Sequence, residues 1–141
     1  MSGFNIYEVQ KAITTALKGN STLVGILGDG VNSILDNTTT AKNLTFPYIE
    51  YTDVSAEAFD TKSSTDSIVY ITMSAFSDTG NRKECEDILK EIHTTLHQSR
   101  LTVTGFGYAV SRWDGLSTIL KESINGNIFS GIIRFKITVS V

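Results

Sequence analysis

His93 and His97 stand four residues apart, the one spacing in this chain that would let two side chains on a helix hold a single metal ion. A zinc hydrolase of the His-Glu-x-x-His type needs Glu directly after the first His, and Thr94 occupies that place. No third ligand accompanies the pair, so exposed imidazoles near the positive-preferring C-terminal end of a helix are the simpler expectation. Cys85, the single cysteine, lies near the start of the same helix, where the backbone dipole lowers a thiol's pKa. Glu84, Glu86 and Asp87 surround it with negative charge, and its position on the apolar stripe predicts a buried, inert thiol. Gly28-Asp29-Gly30 and Gly105-Phe106-Gly107 resemble pieces of phosphate-binding loops. Neither continues into Lys-Ser/Thr or a third glycine at dinucleotide spacing, so both read as turns. The acids Asp29 and Asp36, or Asp53 and Asp60, have nothing to fix them as a hydrolytic pair. The two histidines share one helix face, which leaves no Ser-His-Asp arrangement to argue. The sequence predicts no catalytic constellation, no cofactor and no metal site.

The elements around these residues read as one domain over residues 1–141. Phe4 to Lys18 carries Ile6, Val9, Ile13 and Leu17 at helical spacing, and Gly19-Asn20 ends it and caps a short helix from Ser21 to Leu27. Val31 to Leu35 reads as a short strand, Asp36 to Thr45 as a polar loop, and Pro47 to Val54 as a strand opened by the only proline. Ser55 to Ser67 lacks any amphipathic period and reads as a mobile hairpin arm. Ile68 to Phe76 is the clearest central strand, with Val69, Ile71, Met73 and Ala75 on one face and Ile68, Tyr70, Thr72, Ser74 and Phe76 on the other. Asn81 to Glu84 predicts a capping box opening the main helix, which runs to about Ser99 with Cys85, Ile88, Leu89, Ile92 and Leu96 inward. Leu101 to Val103, Phe106 to Trp113 and Ile128 to Val141 complete the strands, with Gly115 to Asn127 as the connection between the last two. The last strand alternates, Phe129, Ile133, Phe135, Ile137 and Val139 against Arg134, Lys136, Thr138 and Ser140. The fold class is α+β: a mainly antiparallel sheet of about four to five strands, packed with one long helix and an N-terminal helical pair.

Composition removes whole classes of function. Twelve basic and fifteen acidic residues give a net charge of −3, which disfavours a dedicated nucleic-acid binder. One cysteine excludes an internal disulfide framework and a cysteine-based zinc cluster. No apolar run is long enough for a membrane helix, and the opening Met1-Ser2-Gly3-Phe4-Asn5 does not read as a secretory leader. The remaining signal is geometric. With so few helices available, packing them on one sheet face leaves Ile68, Tyr70 and Phe76, together with tyrosines of neighbouring strands, half exposed. An apolar and aromatic face that a chain cannot cover itself marks a protein interface.

Four stretches, in order, resemble the tail terminator and tail-completion (tail-to-head joining) proteins of tailed bacteriophages. They are LVGILGDGVNSIL (Leu23 to Leu35), FPYIEY (Phe46 to Tyr51), the strand, turn and long helix from Ile71 to Leu96, and SGIIRFKITV (Ser130 to Val139). Many members carry Trp where Phe76 stands, and here the one Trp comes late, at position 113. The resemblance implies a non-enzymatic structural virion protein. It implies a homo-oligomer, a hexameric ring that caps the tail tube, stops its polymerisation and joins the tail to the head connector. The implied partners are the tail-tube protein and a head-completion or connector protein, with genome DNA passing through the ring without specific binding, and no membrane. The implied location is the neck end of the tail, after assembly in the host cytoplasm. A mildly acidic chain suits such a channel, because a basic lining would hold phosphates. The arm is the expected contact with a neighbour or the tube: Phe59 as an apolar anchor among Asp60, Thr61, Lys62, Ser63, Ser64 and Thr65, with Ile68, Tyr70 and Phe76 on the sheet. Two alternatives remain at this point: another neck, adaptor or tail-tube-like ring protein, or a small metal-using α+β enzyme working through His93 and His97.

Overall fold

A computed structural model describes residues 6–36, 45–58, 66–121 and 127–140. The chain opens with α1 (Ile6–Lys18), α2 (Ser21–Ile26) and a 3₁₀ turn (Gly30–Ser33). Strands β1 (Ile34–Leu35), β2 (Tyr48–Ala58) and β3 (Asp66–Ser77) follow. Then come α3 (Lys83–Leu96), β4 (Ser99–Arg100), β5 (Tyr108–Lys121) and β6 (Phe129–Ser140). The strands form one sheet in the order β1-β2-β3-β6-β5-β4, antiparallel throughout except for the parallel β1–β2 pair. The α+β class is as expected. The strand number is six because the two edges are two-residue strands, too short to leave a periodic signal in sequence.

Helical periodicity and strand alternation converge on one core. Val9, Ile13 and Leu17 of α1, Leu23 of α2, and Ile88, Leu89, Ile92 and Leu96 of α3 are buried. They join a single cluster with Val69, Ile71, Met73 and Ala75 of β3 and Ile133, Phe135, Ile137 and Val139 of β6. All three helices therefore bury their apolar stripes on the same sheet face. Asn20 caps α2 as the sequence indicates, its Oδ1 accepting the Leu23 N–H at 3.1 Å.

Two close backbone approaches fix how the helices sit. Gly131 of β6 leaves room for α3: a Cβ there would lie 2.9 Å from Leu89 Cδ1 and 3.3 Å from Cys85 Cβ. Gly28 is tighter, since a Cβ would fall 2.3 Å from the Phe46 carbonyl oxygen. The Gly28 N–H donates to the Pro47 carbonyl at 2.9 Å, so the turn after α2 is tied to the entrance of β2. The Phe46–Pro47 peptide is cis.

Several local expectations change, among them the Val31 to Leu35 strand, of which only Ile34–Leu35 is strand, and the main helix, which ends at Leu96. The capping box does not form: Arg82 is the N-cap of α3 and supplies no side-chain cap, Asn81 Oδ1 accepts the Lys83 N–H, and Glu84 instead accepts the Ser77 hydroxyl at 2.7 Å. β2 does not stop at Val54 but continues to Ala58, after a bulge between Tyr51 and Asp53. β5 does not stop at Trp113. It absorbs residues 114–116 as a bulge opposite Arg134 and runs on to Lys121, so much of the Gly115 to Asn127 connection is strand. Leu101 to Val103 is an irregular segment with both apolar side chains buried, and only the Leu101 N–H, bonded to Ala109, behaves like a ladder. Most of the Asp36 to Thr45 loop, residues 37–44, lies outside the described residues.

Candidate assembly surface

The sheet face opposite the helices is the candidate site, and strand registers place its residues. In β3 the row Ile68, Tyr70, Thr72, Ser74 and Phe76 points away from the core row, as the alternation predicts. Ile68, Tyr70 and Phe76 are half-buried, and no helix among the described residues packs on this side. The neighbouring tyrosines behave otherwise than expected. Tyr48 shares the face but is 7% exposed, stacked on Phe76 with ring centroids 5.0 Å apart and tilted against Phe46 at 5.2 Å. Tyr51 points to the helical side, where its hydroxyl hydrogen-bonds that of Thr14. Burial first, opposed by that bond and reinforced by Asp36, pushes the Tyr51 phenol up to about 12.

Charge on this face is divided by strand. Glu50, Asp53 and Glu57 of β2 pair with Ser74, Thr72 and Ile68, so all three acids project on the open side. Arg134 and Lys136 of β6, Arg112 of β5 and Arg100 of β4 project on the same side at the other end of the sheet. Between them, the Arg134 guanidinium lies over the Tyr70 ring, 4.5 Å from its centroid, with its Nε 3.1 Å from an Asp114 carboxylate oxygen in the bulge. Arg100 lies over Tyr108 at 5.7 Å. The β6 alternation exposed Arg134 and Lys136 to sequence reading. The acidic row of β2 and its opposition to Arg100 and Arg112 appear only once the register is known.

Phe59, Asp60, Thr61, Lys62, Ser63, Ser64 and Thr65 lie outside the described residues, while β2 and β3 on either side pair as far as Ala58 and Ser67. The histidines do come together, but as packing. Their rings stack at 4.6 Å and 23°, which does not converge two nitrogens on one ion. His97 Nδ1 accepts the Trp113 N–H at 3.1 Å, and His93 meets the Trp113 ring edge-on at 5.3 Å. The pair ties the end of α3 to β5. Among the described residues no cluster of three or more His, Cys, Asp or Glu side chains is placed to hold a metal. Cys85 is fully buried and its thiol points at the Ala75 and Phe129 carbonyls, at 3.5 and 3.4 Å. Burial first and Glu84 second push it up to about 11, so it holds no thiolate near neutral pH.

Among the described residues, a helix layer covers one side of a mainly antiparallel sheet and leaves the other a charged and aromatic open face, the architecture of an α+β module. The sequence matches the tail completion protein gp17 family over residues 11–140, nearly its full length, and the chain belongs to that family. It is a tail completion protein, a structural component of a phage-type virion. The fold is similar to a chain of the virion of a native gene transfer agent (GTA) particle, with a TM-score of 0.83. That match covers 98% of this chain and 99% of the other at 11% identity, so it speaks for the fold. No curated protein matches the sequence.

Proposed function

We propose that copies of this chain form a closed ring, a hexamer by resemblance to tail terminators, at the end of the tail tube. The ring stops tube polymerisation and joins the tail to the head connector, without catalysis. The observation that carries this reading is the open sheet face: half-buried Ile68, Tyr70 and Phe76 lie between an acidic and a basic flank. A chain with one apolar layer unfilled has a reason to associate, and unlike flanks favour head-to-tail contacts that close when the rotation permits. Family membership and a matching fold within a virion support the same setting.

The segment between β2 and β3, with Phe59 as anchor among Asp60, Thr61, Lys62, Ser63, Ser64 and Thr65, is the part assigned to a neighbour or the tube. DNA passes the ring without being held, as the net charge of −3 suits. Removing the gene should give particles whose tails are of uncontrolled length and do not join heads. Deleting Thr61 to Thr65 should keep the fold and lose joining. Tails of normal length that join heads without the protein would refute the terminator role, and normal joining by the deletion variant would refute the role of the arm.

A further inference from the structure

Both long outer strands of the sheet have an edge with little on it. Among the described residues, β2 is strand-paired on its outer side at Ile49 and Glu50, by β1, and β5 at Val110 and Ser111, by β4, while the Leu101 N–H also bonds the Ala109 carbonyl and His97 accepts the Trp113 N–H. Beyond these positions neither strand has a partner strand among the described residues, and a strand edge of that kind takes up another strand unless something blocks it. The usual block is a run of like charge, and here the two edges carry opposite charge. Exposed Asp53 and Glu57 stand on the β2 edge, and exposed Arg112 and Arg100 on the β5–β4 edge.

Register makes the match quantitative. Reading straight across the sheet, Glu57 shares a row with Ile68, Thr138, Val110 and Arg100. The next row is Ser55, Tyr70, Lys136 and Arg112. A second copy set beside the first with no slide along the strands brings its Glu57 level with Arg100. Arg112 then falls between its Asp53 and Glu57. The short edge strands do not collide, because β1 sits at the Ile49 end of the seam and β4 at the Glu57 end. Chain directions are compatible as well: β2 runs opposite to β5 and parallel to β4, so the seam meets β4 as a parallel pair at the Glu57 end and faces β5 in antiparallel sense beyond it. A head-to-tail contact of this kind closes into a ring when the rotation between copies permits.

We infer that the ring interface is this seam: the β2 edge of one copy, carrying Asp53 and Glu57, against the β4–β5 edge of the next copy, carrying Arg100 and Arg112. It rests on the ring proposed above. The seam is head-to-tail, so two charge-reversed variants should each fail alone and succeed together. Asp53→Lys with Glu57→Lys makes both edges basic, and Arg100→Glu with Arg112→Glu makes both acidic. Each variant, shown to be folded by its circular dichroism and melting curve, should associate at least about tenfold more weakly than the wild type by light scattering. An equimolar mixture should return to the wild-type mass, with the two variants in equal amounts by native mass spectrometry. A folded variant that assembles alone like the wild type, or a mixture that does not recover, overturns the seam while leaving the ring standing. Wild-type protein that stays monomeric both alone and on tail tubes overturns the ring and the seam together.

Discussion

Gly25 and Gly28 lie three residues apart, and replacing each with alanine should move stability in opposite directions. At Gly28 the new methyl would stand 2.3 Å from the Phe46 carbonyl oxygen and 2.8 Å from its carbon. Backbone cannot rotate away as a side-chain tip can. The Phe46–Pro47 segment would have to retreat by at least about 0.7 Å to reach the 3.0 Å that real Cβ atoms respect. That retreat strains the entrance of β2 and stretches the Gly28–Pro47 hydrogen bond. Overpacking against a fixed wall costs about 1–3 kcal/mol, and a weakened hydrogen bond adds about 1 kcal/mol. The sum, about 3 kcal/mol, should lower the melting temperature by roughly 10 °C in a domain of this size. Gly25 is exposed in the last turn of α2 with nothing within 4 Å of its missing Cβ. Alanine there should stabilise by about 0.5–1 kcal/mol through helix preference and a less free unfolded chain. Urea unfolding of both variants gives the difference directly. Equal changes, or a Gly28→Ala variant within 0.5 kcal/mol (about the scatter of surface substitutions) of wild type, would refute the account of this contact.

Three other outcomes are expected. Tyr51 and Cys85 keep their protons in the folded state up to about 12 and about 11, against 10.0 and 9.0 for the free groups. The unfolded chain loses those protons first, so their contribution is whole below pH 9, shrinks above it and is gone past pH 12, and Tyr51→Phe should flatten part of that decline in a series of melting curves. His97→Ala removes the acceptor of the Trp113 N–H and one ring of the stack, and should cost about 1–3 kcal/mol. Added zinc should not raise the wild-type melting temperature, and a zinc-dependent rise abolished by His97→Ala would reverse the conclusion about the pair. Arg134→Met and Tyr70→Leu should be coupled by about 0.5–1 kcal/mol in a double-mutant cycle, and a coupling of zero would mean that the guanidinium over the ring contributes nothing.

What the sequence discloses follows the range of the interactions involved. The helical stripes of α1 and α3 and the alternation of β3 and β6 are local repeats, and they place nearly the whole core correctly. The open position of Ile68, Tyr70 and Phe76 follows from the same alternation plus a count of helices. β5 was harder, because Asp114-Gly115 has the composition of a turn, yet the strand swallows those residues as a bulge that Arg134 anchors from β6. Glu84 fits a capping box in spacing but finds Ser77 at 2.7 Å, a partner seven residues back that only the β3–α3 turn brings near. Tyr48 and Tyr51, three apart on one strand, fall on opposite faces by plain alternation, and only the stack on Phe76 that buries Tyr48 lies beyond local pattern. The division of acids and cations across the open face is a property of strand order. No reading of single segments can recover it.

The pairing of β3 with β6 has a consequence for how the chain reaches this state. β2–β3 and β5–β6 are each neighbours in sequence, so they can zip locally at modest loss of chain entropy. The β3–β6 ladder instead joins Asp66 to Ser140 and Ser77 to Phe129, spanning α3, β4 and β5. Its twelve pairs can form only after two separate hairpins have met, with α3 as the tether between them. Folding of this protein is therefore gated by a docking event between two halves, and non-local strand pairing of this kind sets slow rates. Until that event the central strands are themselves outer edges, open to the wrong partner. A newly made subunit thus passes through its most adhesive form before it owns the two edges on which an orderly assembly can be built.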